Sequence, residues 1–192
     1  VQTVLKNNLI SLLDMTFPNA NRLFVSPARA DGSEKWVDFV AEFWHCECVS
    51  ERSLKSFVNK YWRWCRKHGY NFSEEKAHAI YDEASGHIGV MPKSETTKLL
   101  VEQAVSQLSA TSAALAALKQ EMQSLSSQLP EYPVVMGMFG VGPILGPQLI
   151  AEIGDVRRFY SKKALVAYAG IDAPPNDSGD VIGRHKSMSK VG

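Results

Sequence analysis

Apolar residues recur along the first ninety positions with a helical period. In QTVLKNNLISLLDMT (2–16), Val4, Leu5, Leu9, Leu12 and Leu13 fall on one stripe. Pro18 closes that segment, because the residue before a proline is disfavoured in helical backbone. SEKWVDFVAEFWHCEC (33–48) predicts a second helix with Ser33 as its N-cap. Its apolar face is Trp36, Val37, Phe39, Val40, Phe43 and Trp44. SERSLKSFVNKYWRWCRKHGY (50–70) predicts a third helix ended by Gly69. SEEKAHAIYDEASGHIG (73–89) predicts a fourth, capped by Ser73.

The period changes from Ser94 to Leu129. Val101, Leu108, Leu115, Met122 and Leu129 recur every seven residues, and Ala104, Thr111, Leu118 and Leu125 recur three places later. A heptad seam of this length, free of Gly and Pro, predicts one continuous helix of about 50 Å. It suits either an arm of an intramolecular helical hairpin or a dimerisation coiled coil; its sparse charges select neither. Pro130 and Pro133 close the helix and mark a boundary. Beyond them, Gly137, Gly140, Gly142, Gly146, Gly154 and Gly170 punctuate apolar runs, and a polar, Pro- and Gly-rich loop with room for short strands follows. The predicted fold is mainly α: a helical region over 1–93, a coiled-coil helix over 94–129, and a small helix-hairpin-helix-like domain over 130–192.

Composition narrows the class. With 192 residues, 45% hydrophobic and 21% charged, the chain is globular. Its net charge of +1 means that any nucleic-acid footprint must be local. Three cysteines fit a reducing compartment. No apolar run approaches the roughly 20 residues of a membrane span.

The densest chemistry lies in MFGVGPILGPQLIAEIGDVRRF (138–159). An apolar helix is predicted to start at Pro143, where a missing N–H costs nothing, and to end at Gly154. Asp155 can cap the turn that follows. The arrangement resembles a helix-hairpin-helix, in which the backbone of Gly140, Val141 and Gly142 would hold a DNA phosphate at a helix N-terminus without reading bases. The plainer alternative is a packing unit whose glycines only make room.

The wider stretch resembles the C-terminal domain of the insertion-sequence-110 family of transposases. The matching segments, in order, are Gly140–Pro143, Ala151–Asp155, Arg158-Phe159, Ser161–Gly170, Ser178-Gly179 and Ser189–Gly192. LKNNLISLLDMTFPN (5–19) is also similar to a family segment, and 25–95 only loosely so.

The resemblance implies a DNA recombinase that moves its own element. A serine of the final segment, Ser189, is implied as the nucleophile on a DNA phosphodiester, with Ser187 as its rival. Arg184, Lys186 and Lys190 are of the type that offsets phosphate charge. The family also implies Mg2+ held by four acids of a RuvC-like domain, element-end and target DNA, and an element-encoded guide RNA. The heptad seam adds an expected homo-oligomer through the coiled coil, the lack of a membrane-length apolar run adds no membrane, and the expected location is cytoplasmic and nucleoid-associated in a prokaryote. Asp14, Asp38, Asp82 and Asp172 lie in the wrong segments to stand for those acids. The expectation is therefore a transposase piece without metal ligands of its own, inactive alone. The alternative is a non-catalytic helix-hairpin-helix DNA-binding module on a coiled-coil dimer.

Two further constellations stand out. His45, Cys46, Cys48, Cys65 and His68 offer soft ligands for zinc, but without C-x2-C spacing, so buried structural thiols are the preferred reading. KYWRWCRKHGY (60–70) interleaves aromatics with cations. A helical wheel turns Trp62, Cys65 and Gly69 to a core and Arg63, Arg66 and Lys67 to water; the family context adds nucleic-acid contact through those three cations.

Overall fold

The computed structural model describes residues 1–170 and the backbone of 177–178 and 181–182. These residues are mainly helical and divide into two compact units, Val1–Glu121 and Met122–Gly192.

The first unit holds α1 (Gln2–Thr16), α2 (Lys35–Glu42), α3 (Glu47–Ser50), α4 (Leu54–His68), α5 (Glu74–Gly86) and most of α6 (Glu95–Ser126). Helix α1 buries Leu9, Leu13 and Thr16, whereas Val4, placed on its apolar stripe, is exposed. The stripe is wider than the contact it feeds, and the first turn lies at its edge.

The predicted helix over 33–48 is two helices. Ser33 is not its cap: α2 starts one residue later than that would require, behind Glu34. Ser33 instead donates its N–H to Asp31 Oδ1 at 2.9 Å and closes a turn with the Arg29 N–H at 2.8 Å. Glu34 accepts from Trp36 Nε1 at 2.9 Å and pairs with Lys6 of α1 at 2.5 Å. The helix stops at Phe43, and His45 restarts it by accepting the Glu47 N–H of α3 on Nδ1 at 3.2 Å.

Helices α4 and α5 begin and end as their sequences demand. Ser53 accepts the Ser56 N–H, Ser73 accepts the Lys76 N–H, and Gly69 takes the left-handed conformation that ends α4. Phe39 is the hub of the core, with ring centroids 4.6 Å from Phe43, 5.2 Å from Phe24 and 5.6 Å from Trp64. Each fully buried aromatic of this kind contributes about 1.5–3 kcal/mol.

Helix α6 uses only the first half of its heptad seam inside the chain. Val101 and Leu108 are buried in the core and Ala104 packs against it, while Leu118, Leu125 and Leu129 are exposed. Gln2 of α1 donates to Ser112 Oγ at 2.8 Å, tying the start of the chain to this helix.

The second unit holds α7 (Tyr132–Met136), α8 (Leu145–Ile153), α9 (Lys162–Tyr168) and an antiparallel pair, β1 (Asp177–Ser178) with β2 (Val181–Ile182). Proline at the first turn of α7 needs no N–H there. The pair aligns Asp177 with Ile182 and Ser178 with Val181.

Candidate nucleic-acid interface

In the second unit α7 packs on α8, and the residues between them form a tight turn. Val141 N–H donates to the Met138 carbonyl at 3.1 Å, and Gly140 sits at φ +80°, the third position of a type II turn. That φ explains Gly140 by itself. Gly142 has no such need, and a Cβ built on it or on Gly140 meets nothing within 4 Å. Gly146 is different: its Cβ would lie 2.5 Å from Met136 Sδ, so here glycine lets α8 approach α7. The packing explanation thus holds for Gly146 and does not account for Gly142. Among the described residues, no acceptor takes the N–H of Gly140 or Gly142.

Regular helix starts at Leu145, two residues after the predicted Pro143. Gly146 N–H still reaches the Gly142 carbonyl at 2.9 Å. The next bond of the ladder is impossible, because Pro147 has no N–H to give to Pro143. Gly154 ends α8 at φ +61°, and Asp155 caps the turn Val156–Arg158 by accepting the Arg157 N–H at 2.9 Å. The Arg157 guanidinium also grips both Asp155 oxygens, at 2.9 and 3.0 Å, and holds that carboxyl below the usual range. Arg158 lies 4.7 Å from the centres of both Phe159 and Tyr168. Tyr168 of α9 donates to the Glu152 carbonyl at 3.2 Å, which fastens α9 to the end of α8.

Ser189, Ser187, Arg184, Lys186 and Lys190 lie outside the described residues.

The zinc constellation is otherwise employed. His45 is buried, with Nδ1 taken by the Glu47 N–H and Nε2 3.0 Å from the Met91 carbonyl. Burial pushes the Cys46, Cys48 and Cys65 thiols up. No group of three or more His, Cys, Asp or Glu among the described residues is arranged to hold a metal ion.

Helix α4 turns a different face inward than the wheel had assigned. Phe57, Tyr61, Trp64 and Cys65 are buried, and Trp62 is 41% exposed. The inward stripe at 57, 61, 64 and 65 leaves position 62 about 100° off its axis. That spacing was available in the sequence; the density of aromatics on both sides hid it. Arg63, Arg66 and Lys67 are exposed, as expected of them.

The first unit thus carries a basic, tryptophan-bearing helix, and the second a glycine turn that joins two packed helices. Residues 132–192 match the family model described as Transposase IS116/IS110/IS902 family. No curated protein and no solved structure matches the chain. Among the described residues no helix is long and apolar enough to cross a membrane.

Proposed function

We propose that the chain is part of a DNA transposase in which the turn 138–144 holds a DNA phosphate and Ser189 is the nucleophile. The observation that carries the first half is Gly142. It is free of positive φ and of any neighbour, and it adjoins unpaired N–H groups at the start of α8. A backbone left bare in that way suits close approach by a phosphate oxygen. The second half rests on the family match and on the register of the closing Ser-Lys-Val-Gly segment. In this reading the Ser189 oxygen bonds to the phosphorus of a phosphodiester as one P–O bond to a sugar oxygen breaks; the serine proton passes to solvent, and the sugar oxygen takes a proton and leaves as a hydroxyl. The phosphoserine bond so formed is kept for rejoining. Arg184, Lys186 and Lys190 offset the phosphate charge.

The exposed half of the α6 seam supports self-association through Leu118 and Leu125 as part of the same proposal.

Gly142→Ala tests the hairpin. An added methyl meets nothing in the protein, so folding is kept, and affinity for element-end DNA falls about tenfold if a phosphate approaches there. Parent-like affinity refutes it. Ser189→Ala and Ser187→Ala, compared for covalent DNA adducts in a transposition-competent preparation, test the nucleophile. Loss with Ser189→Ala only is expected. Loss with Ser187→Ala only transfers the role to Ser187. DNA binding without adducts in the parent favours the non-catalytic module.

A further inference from the structure

Trp62 stands apart among the four tryptophans: Trp36, Trp44 and Trp64 are buried and this one is open to water. The Arg66 guanidinium lies 5.0 Å from its ring centre. The ring also lines a groove of about 280 Å³ with Val58, Asn59, Phe72 and Glu74. A second groove shares Val58, Asn59 and Glu74 and reaches Lys55, so the depression continues along α4 beside the start of α5. Leu54 to Trp62 spans about 12 Å of helix.

The groove holds one carboxylate, Glu74, and the cations of α4 around it outnumber it. Lys55, Arg63, Arg66 and Lys67 have no carboxylate partner within ion-pair distance among the described residues. Lys60, on the same helix, is paired with Glu42 at 3.3 Å. A chain of net charge +1 thus carries four cations without an ion pair on the outward side of one helix, with Lys55 and Arg66 on the same face as its one open tryptophan.

Flat aromatic walls, polar groups at the groove edge and a cationic surround match the chemistry of single-stranded nucleic acid. A base stacks on the indole, its edge meets Asn59 and Glu74, and phosphates meet the cations. Asn59 spends one donor on the Lys55 carbonyl at 3.0 Å and keeps its oxygen free for a base amino group. A duplex offers no unstacked base to such a groove.

We propose that the groove between α4 and α5, with Trp62 at its rim, binds an unpaired nucleobase of single-stranded nucleic acid, while Arg63, Arg66 and Lys67 hold flanking phosphates. The proposal rests on the α4 face and not on the hairpin of the second unit. Failure of one therefore leaves the other standing.

The test is a fluorescence titration of the 192-residue chain with short oligoadenylates, as RNA, as single-stranded DNA and as duplex. Single strands are expected to quench tryptophan emission and to bind at least tenfold tighter than duplex. Trp62→Ala should remove the quenching and weaken single-strand binding about tenfold, with an unchanged melting curve, since the ring is outside the core. Trp62→Phe should restore most of the affinity. Changing Arg63, Arg66 and Lys67 together to Ala should lower the slope of log affinity against log salt by about 2. A preference of the RNA arm over the DNA arm identifies the strand type. Parent-like binding by Trp62→Ala, equal binding of duplex, or no binding at low salt overturns the proposal.

Discussion

The His45 side chain donates Nε2–H to the Met91 carbonyl at 3.0 Å, joining residues 46 positions apart. The tautomer follows from the other nitrogen, because Nδ1 accepts the Glu47 N–H and carries no proton. A Cβ on Gly89 would lie 2.5 Å from that same Nε2, so glycine there makes room for the ring. His45→Ala removes the partner of two part-buried backbone groups and empties a buried ring's place, and should cost about 2–4 kcal/mol, read by urea denaturation. Since both ring nitrogens are engaged, a chelator should leave the melting temperature of the parent unchanged.

Gly32→Ala should be among the most damaging single-methyl changes. Gly32 has φ +84°, and its Cβ would lie 2.4 Å from the Ser112 carbonyl oxygen of α6. Backbone cannot retreat as a side-chain tip does. We expect a loss of at least about 2 kcal/mol by denaturant titration.

Tyr61→Phe should be neutral or stabilising, within about 1 kcal/mol. The ring is fully buried and stacks on Trp64 at 5.6 Å, but its hydroxyl has no hydrogen-bond partner of good geometry. Burial pushes its pKa far up, in keeping with a hydroxyl that water does not reach. A clear destabilisation in a thermal melt would mean that the hydroxyl has a partner.

Glu83 links acid to stability. Its Oε1 accepts from His87 and from Asn19, each at 2.9 Å, and these bonds hold the carboxyl below its ordinary value, the His87 contribution being the larger. A depressed acid contributes stability above the unfolded value of about 4.3, and that stability is lost as pH falls through the lower folded value. Glu83→Gln should therefore lower the melting temperature at neutral pH, and the difference from the parent should shrink as pH falls below about 4.3, flattening the acid limb.

If the chain self-associates through the α6 seam as proposed, Leu118→Glu combined with Leu125→Glu should abolish that association in sedimentation without lowering the melting temperature of the monomer, because both side chains are exposed; a monomeric parent would refute the proposal. Leu108→Ala, on the buried half of the same seam, should instead cost about 2–4 kcal/mol. A parent-like oligomer in the double variant would place the contact elsewhere.

Some of these relationships could be read in advance. The end of α4 at Gly69, the cap at Ser73, the turn after Gly154 and the long uninterrupted α6 each depend on residues within a few positions of one another. The misreadings share a cause as well. Ser33 suits a cap, but a turn closed by Asp31 and Arg29 claimed its backbone first. Pro143 suits a first helical residue, but Pro147 removes the second bond of the ladder, so regular helix begins only at Leu145. Trp62 suits a core, but the side of α4 that faces the core is chosen by Phe57, Tyr61 and Trp64 together.

By itself, the order of residues determined the helical class, the heptad period and the likeness of 132–192 to a transposase family, because each is written in local spacing or in an unbroken series of short motifs. Only the tertiary structure decided that the first half of α6 is spent inside the chain and that Gly142 stands open while Gly146 does not. It alone decided, too, that one tryptophan of four faces water. Those outcomes depend on which surfaces meet across long separations in the chain, and burial is settled by that meeting rather than by any residue's own preference.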